Sequence, residues 1–189
     1  MNETASTTTL LGMFYHWERS KPDATYLRQP NGQKWKDYSW SEVGDQARRV
    51  AAALQALGLA NGDRVSILSK NCAHWVIADL AIMMAGASSA PIFTTMTSAD
   101  ARYCLDRSSA KVLFVGETDN WEAVRAELPD GLVVVSFPSA AVPGANYSWD
   151  ELLGDQAPLP GEPDRAPTDE ITTIFTSGST GKPKGVVYN

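Results

Sequence analysis

Three runs of consecutive, largely β-branched apolar residues punctuate the chain: Val65-Ser66-Ile67-Leu68, Val112-Leu113-Phe114-Val115 and Leu132-Val133-Val134-Val135. A strand with one face in water alternates apolar and polar side chains. Unbroken runs therefore imply burial on both faces, the condition of a parallel sheet covered by helices. Helical patterns separate the runs, and this alternation predicts an α/β fold, a largely parallel sheet flanked by helices. Hydrophobic residues make up 43% of the 189 and charged residues 20%, enough apolar material for such a core.

Upstream of the first run, Leu10, Leu11, Phe14 and Trp17 predict a helix from Leu10 to Glu18, stopped by Pro22. A small β-hairpin near the N-terminus follows, Ala24–Gln29 against Gln33–Tyr38 across the Asn31-Gly32 turn. Ser39 with Glu42 forms a capping box for a helix whose buried face is Val43, Ala47, Val50, Ala51, Leu54 and Leu57, ended by Gly58. Asn71 is the expected cap of a helix from Cys72 to Ala85, and Gly86 closes it. Further expectations are a strand Ser88–Phe93, a helix starting at Ser98, a helix Trp121–Leu128 and a short helix capped by Ser148 and Glu151. Between Gly154 and Thr168 the composition shifts to Pro, Gly, Asp and Ala, which reads as a surface connection into a new buried strand, Ile171–Phe175. The expected organisation is an α/β subdomain over 1–153, a connecting segment over 154–170, and a strand with a loop over 171–189.

The net charge of −6 argues against nucleic acid as the main partner, since phosphate backbones need clustered Lys and Arg. No basic n-region precedes an apolar stretch at the start of the chain, and Trp75–Ala87 is too short to cross a bilayer. Cys72 and Cys104 lack CxxC spacing and read as buried thiols in a reducing compartment. With two histidines, His16 and His74, a His/Cys metal cluster is not expected, and each His reads as a core or helix-surface residue. The tryptophans Trp40, Trp75, Trp121 and Trp149 are expected to pack against the sheet, and Asp79 to sit on a helix edge reaching solvent.

Directly after the last strand comes Thr176-Ser177-Gly178-Ser179-Thr180-Gly181-Lys182-Pro183-Lys184-Gly185. Glycines free the backbone to turn several N–H groups onto one anion, the hydroxyls add donors, and Lys184 adds charge. Pro183 stiffens the exit. The spacing matches neither the Walker pattern nor GxGxxG.

The run TSGSTGKPKGV (Thr176–Val186) resembles the phosphate loop of the AMP-forming acyl-adenylating superfamily, which includes acyl-CoA synthetases, luciferases and peptide-synthetase adenylation domains. The resemblance extends upstream over Tyr38–Phe93. Within that region Ser69–Gly86, SKNCAHWVIADLAIMMAG, is most similar to bacterial long-chain fatty acyl-CoA synthetases. It implies the N-terminal subdomain of the adenylate-forming fold. It also implies that Thr176, Ser177, Gly178, Ser179, Thr180, Gly181 and Lys184 contact the β- and γ-phosphates of ATP. In such enzymes a carboxylate attacks the α-phosphorus of Mg²⁺-ATP, giving acyl-adenylate and pyrophosphate, and the CoA thiol then displaces AMP.

Carried over, the resemblance makes this chain the N-terminal part of a long-chain fatty acid–CoA ligase. Its small-molecule partners would be fatty acid, ATP with Mg²⁺, and CoA. The adenine-binding strand, the Mg²⁺-holding acid, the ribose-binding aspartate, the hinge and the catalytic lysine would lie beyond Asn189. The expectation is therefore a fragment with no catalytic residue of its own and no activity alone. The expected place is the cytoplasm, with room for a homodimer and for peripheral contact at the inner membrane. An acyl-AMP ligase feeding a carrier protein and a non-catalytic dimerisation or regulatory module are the alternatives. Tyr188 departs from relatives that often carry His there.

Overall fold

A computed structural model describes residues 9–138, 140–176 and 181–189, and among these seven strands form one sheet. The element order is α1 (Leu10–Ser20), β1 (Thr25–Asn31), β2 (Lys34–Ser39), α2 (Trp40–Ala56), β3 (Arg64–Leu68), α3 (Ala73–Met84), β4 (Ser88–Ile92), α4 (Ser98–Ser108), β5 (Val112–Val115), α5 (Trp121–Arg125), β6 (Val133–Ser136), β7 (Tyr147–Ser148), α6 (Trp149–Asp155), β8 (Thr172–Thr176) and β9 (Lys184–Tyr188). The large sheet runs β7-β6-β5-β3-β4-β8-β9, with every neighbouring pair parallel except the antiparallel β8–β9. The hairpin β1–β2 stands apart from it, turning at Gly32 with φ of +61°.

The two-residue period of the strands sorts the core into two layers. Val65, Ile67, Val112, Phe114 and Val135 pack with α1, α2, α3 and α6; Leu68, Leu113, Val115 and Val134 pack with α4 and α5. That is the two-faced burial which the unbroken apolar runs require. Both capping boxes form, Ser39 with Glu42 on α2 and Ser148 with Glu151 on α6. Gly58 and Gly86 take positive φ, +87° and +84°, just past α2 and α3.

Helix α4 starts at Ser98 as expected, capped by Thr97, whose hydroxyl accepts from the Asp100 N–H. Other local expectations need correction. The cap of α3 is Cys72 in place of Asn71, and its side chain makes no capping bond. The Ala73 N–H instead donates to Gln29 Oε1 at 2.8 Å, so the hairpin supplies the cap from 44 residues away. Helix α5 stops at Arg125, and the chain continues to Leu128 through tighter i→i+3 bonds. Pro129 disfavours helical backbone in Leu128, so the helix does not extend that far.

Helix α6 runs two residues into the expected connecting segment; residues 156–170 have no regular secondary structure, yet they are pinned along their length. Leu159 N–H donates to the Arg48 carbonyl, Arg49 donates to Gln156 O, Tyr15 Oη donates to Pro163 O at 2.5 Å, and Arg165 donates to Ala87 O. Glu170 then accepts both guanidinium donors of Arg64, at 2.8 and 2.7 Å, with Ser88 and Thr173 donating as well. These bonds hold the carboxylate below the usual range, the Arg64 contact first. They also set where β8 enters the sheet.

His74 lies in the inner layer beside Tyr38, Phe137 and Trp149, with ring centroids 5.2–6.0 Å away. Burial, then the Lys36 charge, pushes its pKa down to about 4. The folded value thus lies below the unfolded one, so the unfolded chain binds the extra proton between about pH 6.5 and 4. Stability is full above that window and falls as pH drops through it. Lowering pH from 7 to 5 is expected to remove about 2 kcal/mol through this group. Urea unfolding at the two pH values, compared between the parent and His74→Phe, reads that component. An identical pH dependence in both proteins would refute it.

Candidate functional site

Strand β8 reaches its carboxyl end at Thr176, and β9 returns antiparallel from Lys184, with Thr176 and Lys184 as register partners. The loop between them is thus the turn of a hairpin at the edge of the sheet. The antiparallel return was not foreseen from the sequence. Since β8 runs parallel to β4, the loop emerges beside the carboxyl end of β4 and the turn into α4. In open α/β sheets, crevices at the carboxyl ends of the strands are the usual ligand position.

Of the seven candidate loop residues, Thr176, Gly181 and Lys184 are described; Ser177, Gly178, Ser179 and Thr180 lie outside the described residues. The Thr176 hydroxyl donates to Lys184 O at 3.5 Å and helps close the loop's base. Gly181 has φ of +93°, which only glycine adopts without strain. A Cβ on Gly185 would come within 2.9 Å of Thr173 Cγ2, so glycine there lets β9 lie close against β8. Lys184 is exposed and has no ion pair among the described residues.

The strand period puts Lys184 on the same sheet face as Thr176, Ile174 and Thr172. Thr172 and Ile174 line a cleft of about 540 Å³ with Trp75, Asp79, Ile92 and Phe93. A second groove of about 340 Å³ lies on the opposite side of Phe93, between Thr95, Thr97 and Asp100 and the loop residues Gly181, Lys182 and Pro183. Phe93, 55% exposed, is the wall between them. Another cleft, about 350 Å³, opens between α1 and residues 164–171 at the opposite end of β8 and contains no loop residue.

Asp79 is half-buried at a helix edge, where it lines the first cleft. Its Oδ1 alone is shut off from water and has no hydrogen-bond partner among the described residues, and burial raises the pKa of the carboxyl. Helix α3 buries nine of its twelve residues, and Trp75, Val76 and Asp79 form its half-buried edge. Trp121 and Trp149 are buried, whereas Trp40 stacks on Tyr26 at 3.9 Å and Trp75 is half-buried. Cys104 is buried, its thiol pushed up to about 11, but Cys72 is only half-buried. His16 is exposed. Among the described residues no group of three His, Cys, Asp or Glu side chains could hold a metal ion, and no helix is long and apolar enough to cross a membrane.

Residues 14–189 match the profile of the AMP-binding enzymes. The chain belongs to the AMP-binding enzyme family. It is 35% identical over 185 residues to the long-chain-fatty-acid–CoA ligase FadD15 of Mycobacterium bovis, an alignment covering 92% of this chain and 30% of that protein. It is 38% identical over 179 residues to a 3-[(3aS,4S,7aS)-7a-methyl-1,5-dioxo-octahydro-1H-inden-4-yl]propanoyl:CoA ligase of Mycobacterium tuberculosis, covering 89% and 34%. The chain thus spans about a third of the length of these curated relatives of the AMP-binding family. The fold superimposes on the anthranilate CoA ligase AuaEII with a TM-score of 0.82 at 23% identity, over 94% of this chain and 34% of that one. It also matches a luciferase-like enzyme of the Zophobas morio mealworm with a TM-score of 0.81 at 19% identity, over 100% and 44%. The α/β architecture is therefore that of the amino-terminal region of AMP-binding enzymes.

Proposed function

We propose that these residues form the amino-terminal part of an AMP-forming ligase that activates a fatty acid as its acyl-adenylate and transfers it to CoA. Residues 1–153 would be its α/β subdomain, 154–170 the connection, and 171–189 the strand carrying the phosphate loop. The observation that carries the reading is the hairpin loop at the carboxyl ends of parallel strands, with Lys184 at its base, in a chain of the AMP-binding family. In this reading Thr176, Ser177, Gly178, Ser179, Thr180, Gly181 and Lys184 surround the β- and γ-phosphates of ATP. The loop's work is electrostatic: it holds the leaving pyrophosphate and disperses the charge developing on it. Mg²⁺ would accompany the ATP, and the described residues supply no ligand cluster for it. We assign no catalytic acid or base to this segment, and the 189 residues assayed alone are expected to show only background pyrophosphate exchange.

The ammonium of Lys184 would stabilise the departing pyrophosphate more than bound ATP, because negative charge gathers on the bridging oxygen as the bond breaks. In the complete protein, Lys184→Ala is therefore expected to lower kcat for adenylation at least tenfold, about 1.4 kcal/mol. Thioester formation from preformed acyl-adenylate releases no pyrophosphate and should be largely spared. Measuring the two half-reactions separately decides the matter. An equal fall in both would remove the phosphate role from Lys184.

A further inference from the structure

The two lysines that flank Pro183 do not share a surface. Lys184 falls on the α3 face of the sheet with Thr176, as the register dictates. Lys182 turns the other way, its Nζ 5.0 Å from the centroid of the Tyr103 ring on α4. Lys182 sits between Gly181, at φ +93°, and Pro183, whose ring fixes its own φ. With both neighbours so restricted, the backbone direction at Lys182 is largely set before its side chain finds a partner.

The partner is rigidly mounted. Tyr103 lies mid-helix in α4, whose first turn is capped by Thr97 and whose Cys104 and Leu105 are buried beneath it. Arg102, next to it, donates to the Glu127 carbonyl at 3.0 Å. The turn leading into α4 is held as well, since Asn120 Nδ2 donates to Met96 O at 2.8 Å. The groove of about 340 Å³ between this turn and Gly181, Lys182 and Pro183 leaves the exit of the loop otherwise open on that side. An ammonium over a tyrosine face is attracted to the negative potential of the ring, so the contact works as a tether.

We infer that Tyr103 is a positioning residue for the phosphate loop, holding its exit against α4 through Lys182 so that Lys184 is presented on the opposite face. The inference rests on the phosphate-binding reading above and adds two residues to it, neither of which touches the phosphates. The lysines divide the work, Lys182 anchoring and Lys184 contacting the anion. The tether lowers the ordering that ATP must impose on the loop, so its loss weakens ATP capture and leaves the chemical step nearly untouched.

The test uses Tyr103→Leu, Tyr103→Phe and Lys182→Met in the complete protein, with KM for ATP and kcat read separately in the pyrophosphate-exchange reaction. Tyr103→Leu and Lys182→Met are each expected to raise KM for ATP about three- to fivefold with kcat within twofold. Tyr103→Phe keeps the ring face and should stay within twofold of the parent. The double variant Tyr103→Leu/Lys182→Met should be no worse than either single one. Lys182 is exposed, so Lys182→Met keeps the test informative if Tyr103→Leu fails to fold. An unchanged KM in Lys182→Met, a fall in kcat matching the rise in KM, or no rescue by Tyr103→Phe would overturn the inference. A parent protein without exchange activity would sink the proposed function instead. The tether is then read on the 189-residue chain by NMR, where ring current moves the Lys182 ε-methylene upfield in the parent and in Tyr103→Phe but not in Tyr103→Leu. An unshifted methylene in the parent would refute the contact itself.

Discussion

Trp149→Ala is expected to destabilise the chain by about 3–5 kcal/mol, the range for truncating a fully buried aromatic residue. Trp149 is 1% exposed and opens α6 immediately after the Ser148 cap. Its ring meets Phe114, Phe137 and His74 with centroids 5.9, 5.5 and 5.2 Å away, and its Nε1 donates to Gln46 Oε1 on α2 at 3.4 Å. The side chain therefore joins the end of the sheet, α2 and α3 at one point. Its removal leaves a cavity lined by ring faces that cannot collapse without moving three elements. Water entering the cavity would also solvate His74, so the drop in stability between pH 7 and 5 should shrink in the same variant. Urea unfolding of the parent, Trp149→Ala and Trp149→Phe measures both effects. A cost below about 1 kcal/mol for Trp149→Ala would mean that the cluster repacks.

Breaking the Glu18–Arg48 pair should cost nearly as much. Arg48 Nη1 and Nη2 meet Glu18 Oε1 and Oε2, both at 2.7 Å, and each side chain is only 14% exposed. The guanidinium also lies 5.3 Å from the centroid of the Tyr15 ring and donates from Nε to Gly161 O at 3.1 Å. One pair thus joins α1, α2 and the connecting segment. Gly44 makes room for it, since a Cβ there would overlap the Glu18 carboxylate. Glu18→Ala strands a mostly buried guanidinium, and about 3 kcal/mol of destabilisation is expected, the lower end for buried pairs because some solvent remains. Replacing both partners, Glu18→Leu with Arg48→Met, should recover more than half of that loss. If the double variant is no more stable than Glu18→Ala, the stranded charge is not the cause.

Where a few neighbouring residues decide a feature, it could be read in order along the chain. Ser39 with Glu42, Ser148 with Glu151, Asn31-Gly32, Gly58 and Gly86 all form the caps and turns that their local chemistry favours. The cap that failed, Asn71, is one decided at a distance. Asn71 yields to Gln29 because the hairpin lies against the start of α3, and no pattern within four residues of Asn71 carries that information. Asp79 shows the same limit. Helical spacing puts it on an edge with Trp75 and Val76, but that one of its carboxylate oxygens is shut off from water is decided by the elements packed around α3.

The loop divides along the same line. The residue types in Thr176–Gly185 are what the proposed anion-binding turn rests on, because glycine, hydroxyl and lysine have few other uses together after a buried strand. That the turn closes a hairpin, that Lys184 shares a face with Thr172 and Ile174, and that Lys182 lies over Tyr103 follow from the pairing of β8 with β9 and the neighbourhood of α4. The sequence alone thus determined the two-faced burial of β3, β5 and β6 and the helices that cover them, since each depends on residue type and short-range period. Only the tertiary structure decided the strand order, the tying down of 154–170 and the opposite directions of the two lysines. Those depend on contacts between residues far apart in sequence, as between Arg64 and Glu170, whose free energy exists only once the chain has brought them together.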